Sequence, residues 1–150
     1  MSDFFISLLA SLLAALCVPF FIEIWNKIMM PYLENRAYRG HRIHGVWKAE
    51  ANYNEDGKDK IEREMVDVKQ SGYNISGEMV STLNDEYTVY VFKGEIVNSI
   101  LTASYWKKGN DDSHDRGTMA LKVISDNILK GSFTYYQDTN ILTGQYCWRQ

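Results

Sequence analysis

Between Phe4 and Ile22 the chain reads FFISLLASLLAALCVPFFI, a stretch with no ionisable side chain apart from the Cys17 thiol. An α-helix rises about 1.5 Å per residue, so about 20 such residues cross the roughly 30 Å hydrocarbon layer of a bilayer. Ile24 and Trp25 extend the apolar character past Glu23, which sets the Trp25 indole at the interfacial depth that indoles favour. A secretory signal peptide fits the stretch poorly. Its amino end offers Asp3 rather than Lys or Arg, and no small-x-small cleavage site follows. Leu16 before Cys17 likewise argues against a lipoprotein signal. The expectation is one transmembrane helix with its interfacial end over residues 1–32, and a polar linker over 33–43.

Charge around the span sets its orientation. Lys27, Arg36, Arg39 and Arg42 follow it, whereas the first three residues carry no Lys or Arg. The positive-inside rule then places everything after the span in the cytoplasm, so the chain is expected in the cell inner membrane as a single-pass protein. Cys17 and Cys147 lie on different predicted elements and are expected to be free thiols, which suits a reducing compartment. Ser7, Ser11 and Ala15 recur every four residues along one helix face, the spacing at which membrane helices approach closely, so they are the candidate packing residues of a homo-oligomer. Pro19 is tolerated in such a helix or kinks it.

Beyond the linker the periodicity changes from helical to alternating. Strands are predicted near 44–53, 60–70, 73–81, 87–97, 100–107, 117–125, 128–136 and 141–149. Turn formers separate them: Asp56-Gly57, Ser71-Gly72, Asn84-Asp85, Asn98-Ser99, Asp126-Asn127 and Thr139-Asn140. Alternate residues of a strand share a face. One face then collects Trp47, Ala49, Ala51 and Tyr53; Ile75, Gly77 and Met79; Tyr90, Phe92, Gly94 and Ile96; and Leu101, Ala103 and Tyr105. It continues with Met119, Leu121 and Val123; Leu129, Gly131, Phe133 and Tyr135; and Leu142, Gly144, Tyr146 and Trp148. Glycines recurring on the apolar face relieve crowding where strands coil tightly, and eight strands suffice to close a barrel. The fold class expected is mainly β: a single N-terminal transmembrane helix followed by a small eight-stranded antiparallel up-and-down barrel over 44–150.

The side chains exclude several chemistries. His41, His44 and His114 lack metal-ligand spacing, and no nucleophile elbow, phosphate loop, CxxC or paired-carboxylate signature appears, so neither an enzyme nor a cofactor or metal is expected. With net charge -3 and no long Lys/Arg tract, the chain offers duplex DNA or RNA little electrostatic grip. The stronger signal is aromatic, with ten tyrosines and four tryptophans. Trp47, Phe92 and Phe133 are expected to fill the barrel. Tyr53, Tyr87, Tyr105 and Tyr135 fall near the rim away from the linker, where rings stack on a flat ligand, and Lys107 and Arg116 are placed to meet its phosphates. Glu55, Asp56, Asp85, Glu86, Asp111 and Asp112 crowd the same loops and oppose a polyanion, and the opposite end, with Arg42, His44, Lys69 and Arg149, is the more basic. Either end therefore stands as the ligand end.

The order of parts, with His44-Gly-Val-Trp47 opening the barrel after a basic linker, Val68-Lys-Gln-Ser-Gly72 leading to Ile75-Ser-Gly77, Phe92-Lys-Gly94 with Ile96, and Thr143-Gly-Gln-Tyr-Cys-Trp148 closing it, resembles a known group. It is similar to the transmembrane β-barrel effectors associated with cGAS/DncV-like nucleotidyltransferases (CD-NTases) in bacterial anti-phage CBASS systems, the SMODS-associated β-strand-rich membrane effectors. The resemblance implies a barrel that binds a cyclic di- or oligonucleotide made by a partner CD-NTase. It implies too that the nucleotide triggers or restrains assembly of the membrane helices, whose clustering disrupts the inner membrane in abortive infection. Familiar members often have two spans, and residues 26–43 here are too polar for a second. Two readings of other classes stand beside it: a membrane-tethered lipocalin-like binding or scaffold module without nucleotide response, and an exported carrier of apolar ligands.

Overall fold

The computed structural model describes residues 2–83, 86–109, 115–137 and 140–150. The chain divides into two compact units, 1–38 and 39–150.

The first unit is helical. α1 (Ser2–Ile24) runs through Pro19 without a break and passes by a π-helical turn (Trp25–Met29) into α2 (Met30–Ala37). The widened turn has a local cause in Pro31. Proline supplies no N–H, and its ring crowds the carbonyl four residues earlier. An i→i+5 bond from the Met30 N–H to the Trp25 carbonyl bridges the gap. The first part of the predicted linker, residues 33–37, is therefore helical. Leu13, Val18, Phe20, Phe21 and Ile22 are each more than half exposed, and a helix near the N-terminus is long and apolar enough to cross a membrane. Exposed apolar surface on this scale is of the kind that membranes or partner proteins cover. Ser11 and Ala15 lie on the exposed surface of α1, and the Ser7 side chain is outside the described residues.

The second unit is a closed antiparallel barrel of eight strands in sequence order. They are β1 (Gly45–Glu55), β2 (Lys58–Ser71), β3 (Asn74–Leu83), β4 (Glu86–Val97), β5 (Ile100–Lys107), β6 (Arg116–Ser125), β7 (Ile128–Gln137) and β8 (Asn140–Arg149). Closure comes from β1, which pairs with β2 on one side and β8 on the other. Asp56-Gly57 and Asn98-Ser99 form turns with positive φ at both positions (51° and 74°, 51° and 64°), the twist that matches two-residue hairpins. Strand ends lie within two residues of expectation, and two of the predicted turn pairs are displaced. β2 runs through Ser71, so its turn is Gly72-Tyr73, and Asn140 already belongs to β8. Asn84-Asp85, Thr139 and His114 lie outside the described residues.

Every predicted inward face points inward. Trp47, Ile75, Met79, Phe92, Ile96, Leu101, Met119, Leu121, Leu129 and Trp148 are buried. An aromatic column fills the middle: the Phe133 and Tyr146 centroids are 5.2 Å apart, Tyr146 and Trp148 5.8 Å, and Phe92 and Trp148 6.1 Å. The linker end, where β1 begins, is sealed by Ile43, which is 2% exposed. Gln70 holds that seal. Its Oε1 accepts the Ile43 N–H at 2.8 Å, and its Nε2 donates to the carbonyls of His41 (3.2 Å) and Gly72 (3.0 Å). The Trp47 indole donates to the Ile43 carbonyl at 2.8 Å, and His41 Nδ1 lies 3.1 Å from Ser99 Oγ. Gln70→Ala leaves the Ile43 N–H without its acceptor. We expect a loss of about 1–3 kcal/mol in urea denaturation of the full chain in detergent, with faster protease cleavage between residues 38 and 45.

Candidate functional site

The far end, where β1 hands over to β2, holds a cavity of about 310 Å³ inside the barrel. That is the lower end of the roughly 300–1,000 Å³ range of small-molecule sites. Its walls are the last inward steps of six strands: Ala51, Tyr53 and Glu55 of β1, Lys60, Glu62 and Glu64 of β2, Ser81 of β3, Thr88 and Tyr90 of β4, Tyr105 of β5, and Phe133 and Tyr135 of β7. Leu142 and Tyr146 of β8 complete it. A broader depression of about 590 Å³ lies on the outer wall of β3–β7, lined largely by small polar side chains such as Thr102, Ser104, Thr118 and Ser132. Lys93 and Glu95, of opposite sign, also line it, and the aromatic residue in its lining, Phe133, is buried and belongs to the interior column.

Three tyrosines build one side of the interior site. The rings of Tyr105 and Tyr135 are parallel (1°) with centroids 6.2 Å apart, and Tyr90 stands perpendicular to both at 6.0 and 6.1 Å. A base sandwiched between two rings needs about 7 Å, twice the 3.4 Å stacking distance, so this trio is a wall against which a ring lies, not a slot. The Tyr90 and Tyr135 hydroxyls are 3.4 Å apart, a weak bond that a ligand acceptor readily replaces. Burial first, and then the hydrogen bond between them for Tyr90 and the Glu64 charge for Tyr105, push both hydroxyls far above the ordinary phenol range. Tyr53 is pushed up to about 12 by burial and the Glu62 charge. All three are neutral donors at pH 7.

Acidic groups of β2 face the tyrosines. Glu62 accepts from Ser81 Oγ on one oxygen and from Tyr53 on the other at 3.4 Å. One inward step deeper, the part-buried Glu64 carboxyl lines the cavity and is bonded to the Tyr146 hydroxyl. Burial, followed by repulsion from Glu62, raises it to about 8, so Glu64 is mostly protonated at pH 7. Glu55 is paired with Lys60 at the rim. With that pair cancelling and Glu64 neutral, Glu62 carries the net charge of the cavity.

Of the sequence-predicted ligand residues, Tyr53, Tyr105 and Tyr135 meet in this cavity. Tyr87 does not. It is 76% exposed, because inward parity in β4 falls on Thr88, Tyr90 and Phe92. Arg116 sits on the exposed outer face, one position before the inward Gly117, and Lys107 stands at the rim with its Nζ 4.0 Å from Asp115. Sequence reasoning missed Glu62, Glu64 and Tyr90 as residues of this cavity, although Val66 and Val68 already fixed the inward parity of β2. Among the described residues no group of His, Cys, Asp and Glu is arranged to hold a metal ion, and Cys17 and Cys147 are free thiols. Comparison with protein-family models, curated proteins and solved structures gives no match to this chain.

Proposed function

We propose that this chain is a single-pass membrane effector of the inner membrane whose cytoplasmic barrel binds a cyclic oligonucleotide in its far-end cavity and thereby controls assembly of the apolar helix. The observation that carries the reading is the coincidence, in one small protein, of a bare apolar helix and a tyrosine-walled cavity within an otherwise filled barrel. Eight strands leave room for packed side chains or for one small ligand, and here packed side chains fill the middle and the linker end while a cavity opens at the far end. The cavity volume suits one base and part of its ribose, not a whole cyclic oligonucleotide. The ligand therefore enters base first and keeps its phosphates outside, away from Glu62 and close to Lys107.

Membrane disruption follows from association. A lone apolar helix only spans a bilayer, whereas several helices packed through the Ser7, Ser11 and Ala15 row create a defect. Occupancy shifts that equilibrium only as far as the ligand distinguishes the assembled from the dispersed state. Lys27, Arg36, Arg39 and Arg42 support the cytoplasmic placement of the barrel.

Full-length protein reconstituted in dye-loaded vesicles tests the proposal. A cyclic dinucleotide from a panel should bind and change the leakage rate, upward if it triggers assembly and downward if it restrains it. Absence of binding to every member by protein with intact β-sheet circular dichroism overturns it. A tethered scaffold is the competing reading, favoured by apolar side chains on the outer wall such as Met65 (47% exposed) and Ile141 (62%). A scaffold leaves leakage unchanged whatever is added.

A further inference from the structure

Resting on the nucleotide reading, we infer that the far-end cavity selects a guanine base, inserted with its N1–H and N2–H edge against the Glu62 carboxylate.

The argument is one of matching donors and acceptors. A carboxylate presents about four lone-pair positions, and Glu62 uses one on each oxygen, for Ser81 and for Tyr53. One acceptor position is left on each oxygen, in a cavity whose other charged pair, Glu55 with Lys60, is already satisfied. Only guanine among the four common RNA bases offers two adjacent donors on its pairing edge. Adenine and cytosine offer one amino donor beside an accepting ring nitrogen, and uracil offers one imide N–H between two carbonyls. Each of these three would set a lone pair against Glu62. A polar site rejects a partner that leaves its buried groups unmatched far more strongly than an apolar pocket rejects a change of size.

The remaining walls suit the rest of the ring. Tyr53, Tyr90 and Tyr135 are only partly buried and offer ring surface to the cavity, and the neutral Tyr90 and Tyr135 hydroxyls are donors for the O6 and N7 acceptors of guanine. Protonated Glu64, held by Tyr146 beneath, adds no second negative charge to repel the ligand's phosphates.

Calorimetric titration of the full chain in detergent with cyclic di-GMP, cyclic di-AMP, cyclic di-UMP and plain guanosine tests the inference. Cyclic di-GMP should bind at least about tenfold more tightly than the guanine-free dinucleotides, the size of discrimination that one bidentate base contact supplies. Glu62→Gln, nearly isosteric, presents one acceptor and one donor and so should bring the cyclic di-AMP affinity level with or above that for cyclic di-GMP. A purely structural role for Glu62 would weaken all ligands alike and overturn the inference, as would equal binding of guanine-free dinucleotides by the unaltered chain. In that last case the nucleotide reading stands and only the base assignment falls. Binding of guanosine without any cyclic dinucleotide does the reverse, and no binding of any of the four removes both.

Discussion

Alanine at Gly94 or Gly131 is expected to destabilise the barrel by more than about 4 kcal/mol, beyond the range of most single substitutions and a large part of the roughly 5–15 kcal/mol that holds a domain together. A methyl group on Gly94 would stand 1.9 Å from the Thr102 carbonyl oxygen and 2.5 Å from the Ala103 Cα. On Gly131 it would stand 1.9 Å from the Ala120 carbonyl oxygen and 2.8 Å from the Leu121 Cα. These neighbours are backbone atoms of paired strands, so no side-chain rotation makes room. Relief requires the ladder itself to part, which goes beyond the about 1–3 kcal/mol of ordinary overpacking. Gly109→Ala is the control. Its φ of +83° disfavours a side chain, but nothing lies within 4 Å of the added carbon, so a cost of about 1–2 kcal/mol is expected. Urea titration of the full chain in detergent, followed by circular dichroism and tryptophan fluorescence, ranks the three. A Gly94 or Gly131 variant no weaker than the Gly109 variant would show that the barrel wall is wider than described.

The second large effect is one of pH. The Glu64 carboxyl rises from an ordinary value of 4.5 to about 8 in the folded chain, so the folded state holds its proton more tightly than the unfolded one. The resulting stability is complete below pH 4.5 and declines as pH climbs from there through about 8, above which both states are ionised. A difference of this size corresponds to about 4–5 kcal/mol, at about 1.4 kcal/mol per unit. Glu64→Gln keeps the shape and a bond to Tyr146 while removing the titration. The variant should equal the unaltered protein near pH 4 and exceed it by several kcal/mol at pH 9. If the two stability profiles run parallel from pH 5 to 9, the Glu64 carboxyl is not desolvated in the folded chain. The raised tyrosines titrate above this pH range, and Glu78, lowered by its bond to Lys108 at 2.7 Å, sits on the open surface.

Much of this fold is legible in the sequence because its two governing patterns are local. Side chains of a strand alternate by steric necessity, so Trp47, Phe92, Leu129 and Trp148 disclose their faces without reference to any neighbour. Turn pairs such as Asn98-Ser99 carry their own conformational preference. The site is legible only in part. Tyr53, Tyr105 and Tyr135 follow from parity, but Tyr87 is singled out only as a tyrosine near a turn, and the parity of Tyr90 excludes it from the interior. Glu62 and Glu64 escape notice for the opposite reason. Alternation is read from apolar residues, and an inward carboxylate looks like an outward one until Val66 and Val68 are used to extend the face along β2.

The sequence by itself determined an apolar span with basic residues after it, eight alternating segments, and which side of each segment is greasy. Only the tertiary structure decided that Glu62 of β2 meets Ser81 of β3 and Tyr53 of β1, that Tyr146 of β8 lies on Glu64, and that Tyr90, Tyr105 and Tyr135 close around one cavity. The face a side chain takes is fixed by the two bonds of its own residue. The height at which it meets others depends on the stagger between strands, and that is set by closure of the whole barrel.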